Sequence, residues 1–163
     1  MTLPSTKTDG ALKGITVIEL CGARGHFMGK LMGDMGARVI KIEPMGGSSE
    51  RQIGPFMNDE PHPDRSLFFW SHNTSKESLE INIEDFEGQK VIKALAAAAD
   101  VVLEDFAPGY LPSLGLSYKD LSANNERLVM TSLTAFGQDG PYRDYKSPDI
   151  VALAMGGIMH SCG

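Results

Sequence analysis

Three short segments of this chain set ligand-holding or reactive residue types beside turn chemistry. The first is Gly22-Ala23-Arg24-Gly25, between an apolar run and a helical pattern carrying Gly29 and Gly33. A glycine turn entering a helix N-terminus offers free N–H groups at the positive end of the helix dipole, which suits an anion. Gly25, Gly29 and Gly33, spaced by four, also make a smooth face for packing on a sheet. The two readings are compatible. The second segment is Glu104-Asp105-Phe106-Ala107-Pro108-Gly109, where Phe106 could pack on a flat ring and Pro108-Gly109 fix the loop shape. Taken alone it is an ordinary turn. The third runs from Gln138-Asp139-Gly140-Pro141-Tyr142-Arg143 to Lys146-Ser147-Pro148-Asp149 and leads into an apolar helical stretch, Ile150 to Met155. Asp149 beside a helix start is most simply a charge partner of the dipole, worth ~0.3–1 kcal/mol. A catalytic carboxylate in a shared crevice is the sharper reading of the same residue.

Other reactive signatures do not occur. The first turn is not GxGxxG, so it fails the dinucleotide fingerprint, and there is no Walker A loop or GxSxG elbow. His26, His62, His72 and His160 share no ligand spacing such as HxxxH, which argues against a metal site. Cys21 and Cys162 form neither a disulfide framework nor a metal spacing and read as reduced thiols of a cytoplasmic protein. The formal net charge of -6 argues against nucleic acid as a partner, since that affinity needs a basic surface. The charge is uneven: residues 1–58 carry +2 and residues 59–163 carry -8. An anionic ligand is therefore better received by groups from the first third. The N-terminal MTLPSTKTDG is polar and unlike a signal peptide. No run approaches the roughly eighteen apolar residues of a membrane span, so no membrane partner is expected. The chain closes on AMGGIMHSCG, apolar and glycine-rich, as though more chain should follow.

The elements that must position these turns are legible in the hydrophobic pattern. Five apolar β-like runs recur: Ile15–Leu20, Val39–Ile42, Leu79–Ile83, Val101–Leu103 and Leu128–Leu133. In Leu31 to Pro44, LMGDMGARVIKIEP, an amphipathic helix end meets Gly36, suited to the left-handed position that closes a helix. A short strand follows and stops where Pro44 pushes Glu43 towards an extended conformation. Asp85 can serve as N-cap for a helix carrying Phe86, Val91, Ile92 and Leu95 at helical spacing. Strand, helix, strand with a crossover of this length predicts that the third and fourth strands are parallel neighbours. Met45 to Lys76 is a long Gly-, Ser-, Pro- and Asn-rich segment of the kind that is usually functional. Within it Ser66–Trp70 has too much aromatic surface for a linker and is expected to pack on the sheet as a short helix or turn. At 163 residues the chain can hold one domain with a core. The fold expected is α/β, a Rossmann-like open parallel sheet with flanking helices, whose ligand crevice lies at the carboxyl ends of the strands.

Five of these segments carry a further pattern, in order along nearly the whole chain. Leu12 to Leu20 matches "L-x-G-I-x-V-I-E-L", and Met35 to Glu43 matches "LGAxVIKIE". Asn73 to Ile83 matches "NxxKxSxxxxL", with Lys76 and Ser78 in place. Ala99 to Gly109 matches "ADVxxENFxPG" with Asp105 in place of the usual Asn, and Asn124 to Tyr142 matches "NPRLV...S..GFGQ.GPY". Together they resemble the family III CoA-transferases, the carnitine and bile-acid (CaiB/BaiF) family.

The resemblance implies an enzyme that exchanges CoA between carboxylic acids through an aspartate nucleophile. The aspartate forms a mixed anhydride, then an aspartyl-CoA thioester, before a second acid takes the CoA. It implies no tightly bound cofactor, coenzyme A or acyl-CoA and a carboxylic acid as substrates, and a homodimer or heteromer of interlocked chains. Family members are over twice this length, and their nucleophile lies in a "D-x-x-x-G" segment downstream of Gly156 to Gly163. Residues 1–163 then form the N-terminal part of the large CoA-binding domain, inactive alone, with the nucleophilic Asp beyond Gly163. Matched residue by residue, Lys146 corresponds to a lysine that contacts CoA in formyl-CoA transferase. Asp105 and Phe106 correspond to the Asn-Phe pair beside adenine and pantetheine, Arg51 to an arginine bordering the site, and Asp149 to a supporting acidic residue of the active-site neighbourhood. Three departures stand out. Pro44 occupies the place of a CoA-binding arginine, so the phosphate contacts must differ. Pro148 replaces the Tyr common in transferases and the catalytic His of α-methylacyl-CoA racemases, which removes the base from a racemase reading. Ala23 to His26, ARGH, replaces the usual AGP turn on the substrate side. A non-catalytic CoA-binding or assembly subunit is the further alternative.

Overall fold

A computed structural model describes residues 10–162. The first nine residues, read above as unlike a signal peptide, and Gly163 lie outside the described residues. In chain order the elements are β1 (Thr16–Leu20), α1 (His26–Asp34), β2 (Arg38–Glu43), three short 3-10 turns, α2 (Leu67–Asn73), β3 (Lys76–Glu80), α3 (Phe86–Ala98) and β4 (Val101–Glu104). There follow α4 (Tyr110–Ser113), α5 (Tyr118–Ser122), β5 (Val129–Ser132), α6 (Asp149–Met155) and α7 (Ile158–Cys162). The five strands form one all-parallel sheet in the order β3-β2-β1-β4-β5. This is an α/β architecture with flanking helices, as expected.

Because β1 is central, its alternate side chains build two layers. Ile18 and Leu20 face Ile92 and Ala96 of α3 together with Leu111, Leu116 and Leu121. Val17 and Cys21 face the other way, with Val39, Leu103 and the partly buried Met28 and Met32 of α1. Covering both faces explains why β1, β2 and β4 read as near-continuous apolar runs. Gly36 has φ of 99°. Around it Ala37 N–H donates to Met32 O and Gly36 N–H to Gly33 O, each at 3.0 Å. That is a Schellman closure, and it delivers the chain into β2.

The apolar layers enclose charge. Glu19 on β1 has no solvent exposure, and the Lys41 and Lys76 side chains are 1% and 2% exposed. The Lys76 ammonium lies 2.9 Å from Glu19 Oε1 and 2.8 Å from Oε2. It also donates to His26 O at 2.6 Å and to Asn73 Oδ1 at 2.8 Å. Lys41 donates to Glu19 Oε1 at 3.2 Å and to Cys21 O at 2.6 Å. Burial pulls the Lys76 ammonium below its ordinary value, against the attraction of Glu19.

Three expectations need correction. The third strand is Lys76–Glu80, not Leu79–Ile83. Strand formation starts where Lys76 can reach Glu19; Ile81 N–H makes a last bond to Glu43 O at 2.9 Å, and the Ile81 and Ile83 side chains pack against the α3 layer. The third and fourth strands are parallel but not neighbours, because α3 carries the chain past β2 and β1 to the far side of the sheet. The exposed KESLE of β3 suits an edge, whereas buried VVLE suits an inner position. The aromatic segment is helical, but α2 packs on α1 and the first 3-10 turn instead of on the sheet. Asp85 does hold the N-cap position of α3, without a side-chain cap bond.

Gly29 faces this buried cluster: a Cβ there would fall 1.7 Å from Glu19 Oε2. Gly29→Ala is therefore expected to destabilise the protein by about 3 kcal/mol, at the upper end of overpacking costs. The urea midpoint would read this out, and an unchanged midpoint would refute the close approach.

Candidate functional site

The crossover of α3 makes β1/β4 the point where successive strands diverge, and in open parallel sheets ligands enter there, outside the carboxyl ends. Three loops converge on it: 22–25 after β1, 105–109 after β4, and 134–148 after β5. The first two are tied by one side chain. Asp105 is 7% exposed. Its Oδ1 accepts from Gly22 N–H at 2.9 Å and its Oδ2 from Gly25 N–H at 3.1 Å. The glycine turn was expected to hold an anion, and it does, but the anion is the chain's own. Those two N–H groups are already satisfied. The packing reading of the turn holds as well, since a Cβ on Gly25 would meet Cys21 Sγ at 2.5 Å and one on Gly33 would meet Ser75 O at 3.0 Å.

In front of this joint lies a crevice of about 750 Å³ lined by Arg24, Phe106, Pro108, Arg143, Lys146 and Pro148, among others. Arg24 leans across the loops and donates from Nη2 to Asp105 O at 3.3 Å. Arg143 is paired through Nε with Asp144 at 3.2 Å. Phe106 packs on Tyr110 with ring centres 4.9 Å apart. A smaller cavity of about 190 Å³ adjoins on the Ala107 side and reaches Glu104 and Gln138. Burial raises the Glu104 carboxyl, while hydrogen bonds from Ser132 and the Phe106 N–H, at 2.8 Å, pull the other way. A roomier hollow of about 940 Å³ sits at the opposite sheet edge beside Lys13, Thr16, Arg38 and Glu77. It contains none of the three loops, and parallel sheets do not usually bind at that edge.

The structure brings Phe106 and Lys146 into one crevice, with Asp105 buried behind its floor. Asp149 is the first residue of α6, with Pro148 as N-cap, in the dipole position the simpler reading gave it. Arg51 is elsewhere. It grips Glu43 at the end of β2, with Nε and Nη2 each 2.7 Å from a carboxylate oxygen, and lies 4.0 Å over the Phe69 ring. Burial raises the Glu43 carboxyl, but hydrogen bonds from Arg51, Ser78 and Ser48 outweigh it and hold it at about 2. Arg24 and Arg143 were not singled out from sequence. The available signal was a cation inside each turn that follows an inner or terminal strand.

Burial shifts two titratable groups beside the β1 loop towards their neutral forms. Burial, reinforced by Asp105 and Glu19, pushes the Cys21 thiol well up, so it is no nucleophile. His26 is 1% exposed and stacks on His72 at 4.4 Å. Its Nδ1 has no hydrogen-bond partner among the described residues. Burial first, then His72, Lys41 and Lys76, lower it from 6.5 to about 4.

At the switch point of this parallel α/β sheet, Arg24, Arg143 and Lys146 thus share one crevice with the Phe106 ring. The chain belongs to CoA-transferase family III, whose profile matches residues 12–163. It is 35% identical over 147 residues to the succinyl-CoA:(R)-benzylsuccinate CoA-transferase subunit BbsE of Thauera aromatica, covering 90% of this chain and 36% of that one. It is 38% identical over 159 residues to the acetyl-CoA:oxalate CoA-transferase of Acetobacter aceti, covering 96% and 40%. The crystal structure of a CaiB/BaiF family protein from Brucella suis superposes with a TM-score of 0.83 at 35% identity, covering 93% and 40%. The chain thus spans well under half the length of these relatives. No helix among the described residues is long and apolar enough to cross a membrane.

Two predictions follow from this geometry. Asp105→Ala strands two backbone donors and is expected to cost about 3 kcal/mol, with Asp105→Asn costing less because one acceptor survives. Equal unfolding midpoints for the two variants would contradict the double hold. Because the folded His26 value is depressed, its contribution is complete above 6.5 and is lost as pH falls through about 4. His26→Asn should flatten that part of the stability profile in pH-stepped denaturation.

Proposed function

We propose that this chain supplies the CoA-binding half of a family III CoA-transferase, moving CoA between carboxylic acids. The observation that carries the reading is the crevice at the β1/β4 switch point, lined by Phe106 and Lys146, the two residues that the resemblance likens to CoA-contacting ones. The Phe106 ring is placed to pack on the adenine or pantetheine, and Lys146 to contact the CoA phosphates as a point charge. The acid substrate has a model in the relatives: one is named for benzylsuccinate and another for oxalate, both dicarboxylic acids.

In the reaction proposed, an Asp carboxylate from the downstream "D-x-x-x-G" segment attacks the thioester carbonyl of the acyl-CoA and the CoA thiolate leaves. The thiolate then attacks the aspartyl carbonyl of the mixed anhydride, forming aspartyl-CoA and releasing the first acid. The second acid's carboxylate attacks that thioester, releasing CoA thiolate, which attacks the acyl carbonyl of the new anhydride. This forms the new acyl-CoA and frees the Asp. Dividing the exchange this way keeps each barrier low. The described residues contribute binding and orientation, and Asp149 is proposed as a supporting group, not the nucleophile. Pro148 lines the crevice without a titratable side chain, which speaks against the racemase alternative. Assembly as a dimer or heteromer is part of the proposal, and one relative is named as a subunit.

Titration calorimetry with CoA and NAD tests the reading. CoA is expected to bind and NAD not, with Lys146→Ala weakening CoA by about tenfold, the scale of one charge-assisted contact. A preference for NAD would overturn it.

A further inference from the structure

We propose that Arg24 is the oxyanion-recognising residue of this crevice, receiving a phosphate or carboxylate group of an acyl-CoA ligand opposite Arg143 and Lys146. The inference rests on the reading of the crevice as the CoA site and assigns a recognition role that the matched motifs do not contain.

Three observations converge on it. Two backbone donors of the 22–25 turn, Gly22 and Gly25 N–H, are occupied by Asp105 and so are closed to an incoming anion. Arg24 lines the crevice from that turn, and its one hydrogen bond among the described residues runs from Nη2 to a backbone carbonyl. A guanidinium carries five donors, so most of its fork stays open to a ligand. Among the described residues Arg24 has no carboxylate within ion-pair distance, whereas Arg143 shares its charge with Asp144.

The placement also makes electrostatic sense. The crevice gathers Arg24, Arg143 and Lys146 against Asp144, a local excess of positive charge on a chain of net charge -6. A cleft of one sign raises the local concentration of oppositely charged ligands. Arg24 stands on the β1 side and Arg143 and Lys146 on the β5 side, with the β4 loop between them. An anionic group drawn in is therefore met from two directions, while Phe106 offers a face for a ring. Arginine matches phosphate and carboxylate alike through two parallel N–H bonds, which lysine cannot reproduce.

The test compares native protein with Arg24→Ala and Arg24→Lys in calorimetric titrations with CoA, acetyl-CoA, succinyl-CoA and inorganic pyrophosphate, with urea unfolding as a control. Arg24→Ala is expected to weaken binding by about tenfold, with Arg24→Lys recovering only part of it. Equal weakening for acetyl-CoA and succinyl-CoA assigns the contact to a CoA phosphate. Weakening confined to succinyl-CoA assigns it to the acyl carboxylate. An Arg24→Ala protein that binds every probe within twofold of native overturns the inference and leaves the CoA reading standing. Native protein that ignores the CoA compounds yet binds pyrophosphate through Arg24 overturns the CoA reading and leaves the oxyanion role standing. Native protein that binds no probe overturns both. Should Arg24→Ala unfold, Arg24→Gln keeps the stem and a donor to Asp105 O and is judged by the same criterion.

Discussion

Glu19 carries a carboxylate at the centre of the sheet with no access to water, and the placement of the first helix depends on how that charge is compensated. Lys41 reaches it from β2 and Lys76 from β3, so one acid fastens three adjacent strands. Neither lysine is spent on Glu19 alone: Lys41 also donates to the carbonyl of Cys21 and Lys76 to that of His26, on either side of the 22–25 turn. Removing Glu19 would leave two buried ammonium groups without their counter-charge, a loss of order 3–5 kcal/mol. The helix after the turn lies against this cluster where only a glycine fits. The ion cluster thus fixes the distance of α1 from the sheet, and with it the position of the turn that fronts the crevice.

From that fixed turn the site is assembled by a second carboxylate. Asp105 belongs to the loop after β4 yet satisfies donors of the loop after β1. Two strand ends that are neighbours in the sheet are thereby joined again above it. The buried acids have divided tasks: Glu19 sets where α1 starts, Asp105 sets how its leading turn is shaped, and Glu43 holds Arg51 to the end of β2. Ionic groups at these positions specify geometry that apolar packing leaves loose, because each requires a particular partner at a particular distance.

Much of this was legible in the residues. The apolar runs, Gly36 and the strand-helix alternation are local signals, and they placed four of the five strands to within about two residues, the usual scatter of such boundaries. The order of strands was not local. Nothing between Glu80 and Val101 says whether α3 returns beside β3 or crosses to β1, and that depends on which sheet edge remains open. The site was partly readable, because Phe106 and Lys146 sit on turns that follow strands. Asp105 was noticed as a departure from Asn, but its partners lie 80 and 83 residues away. Lys41 within Val39-Ile40-Lys41-Ile42 was a missed sign: a charge in the middle of a buried strand requires a buried counter-charge, and Glu19 lies in the matching register of β1.

The carboxylate that spans the two loops has a mechanical meaning for the crevice. Two of its three walls, those after β1 and β4, are stitched together and to the sheet, so they travel as one piece. The third wall, 134–148, reaches the β4 side through the contact of Gln138 with Glu104 at 3.4 Å, turns at Gly137 and Gly140, and gathers the Phe136, Tyr142 and Tyr145 rings within itself. The segment carrying Arg143 and Lys146 has no share in the Asp105 stitch, so the crevice is braced firmly on two sides and lightly on the third.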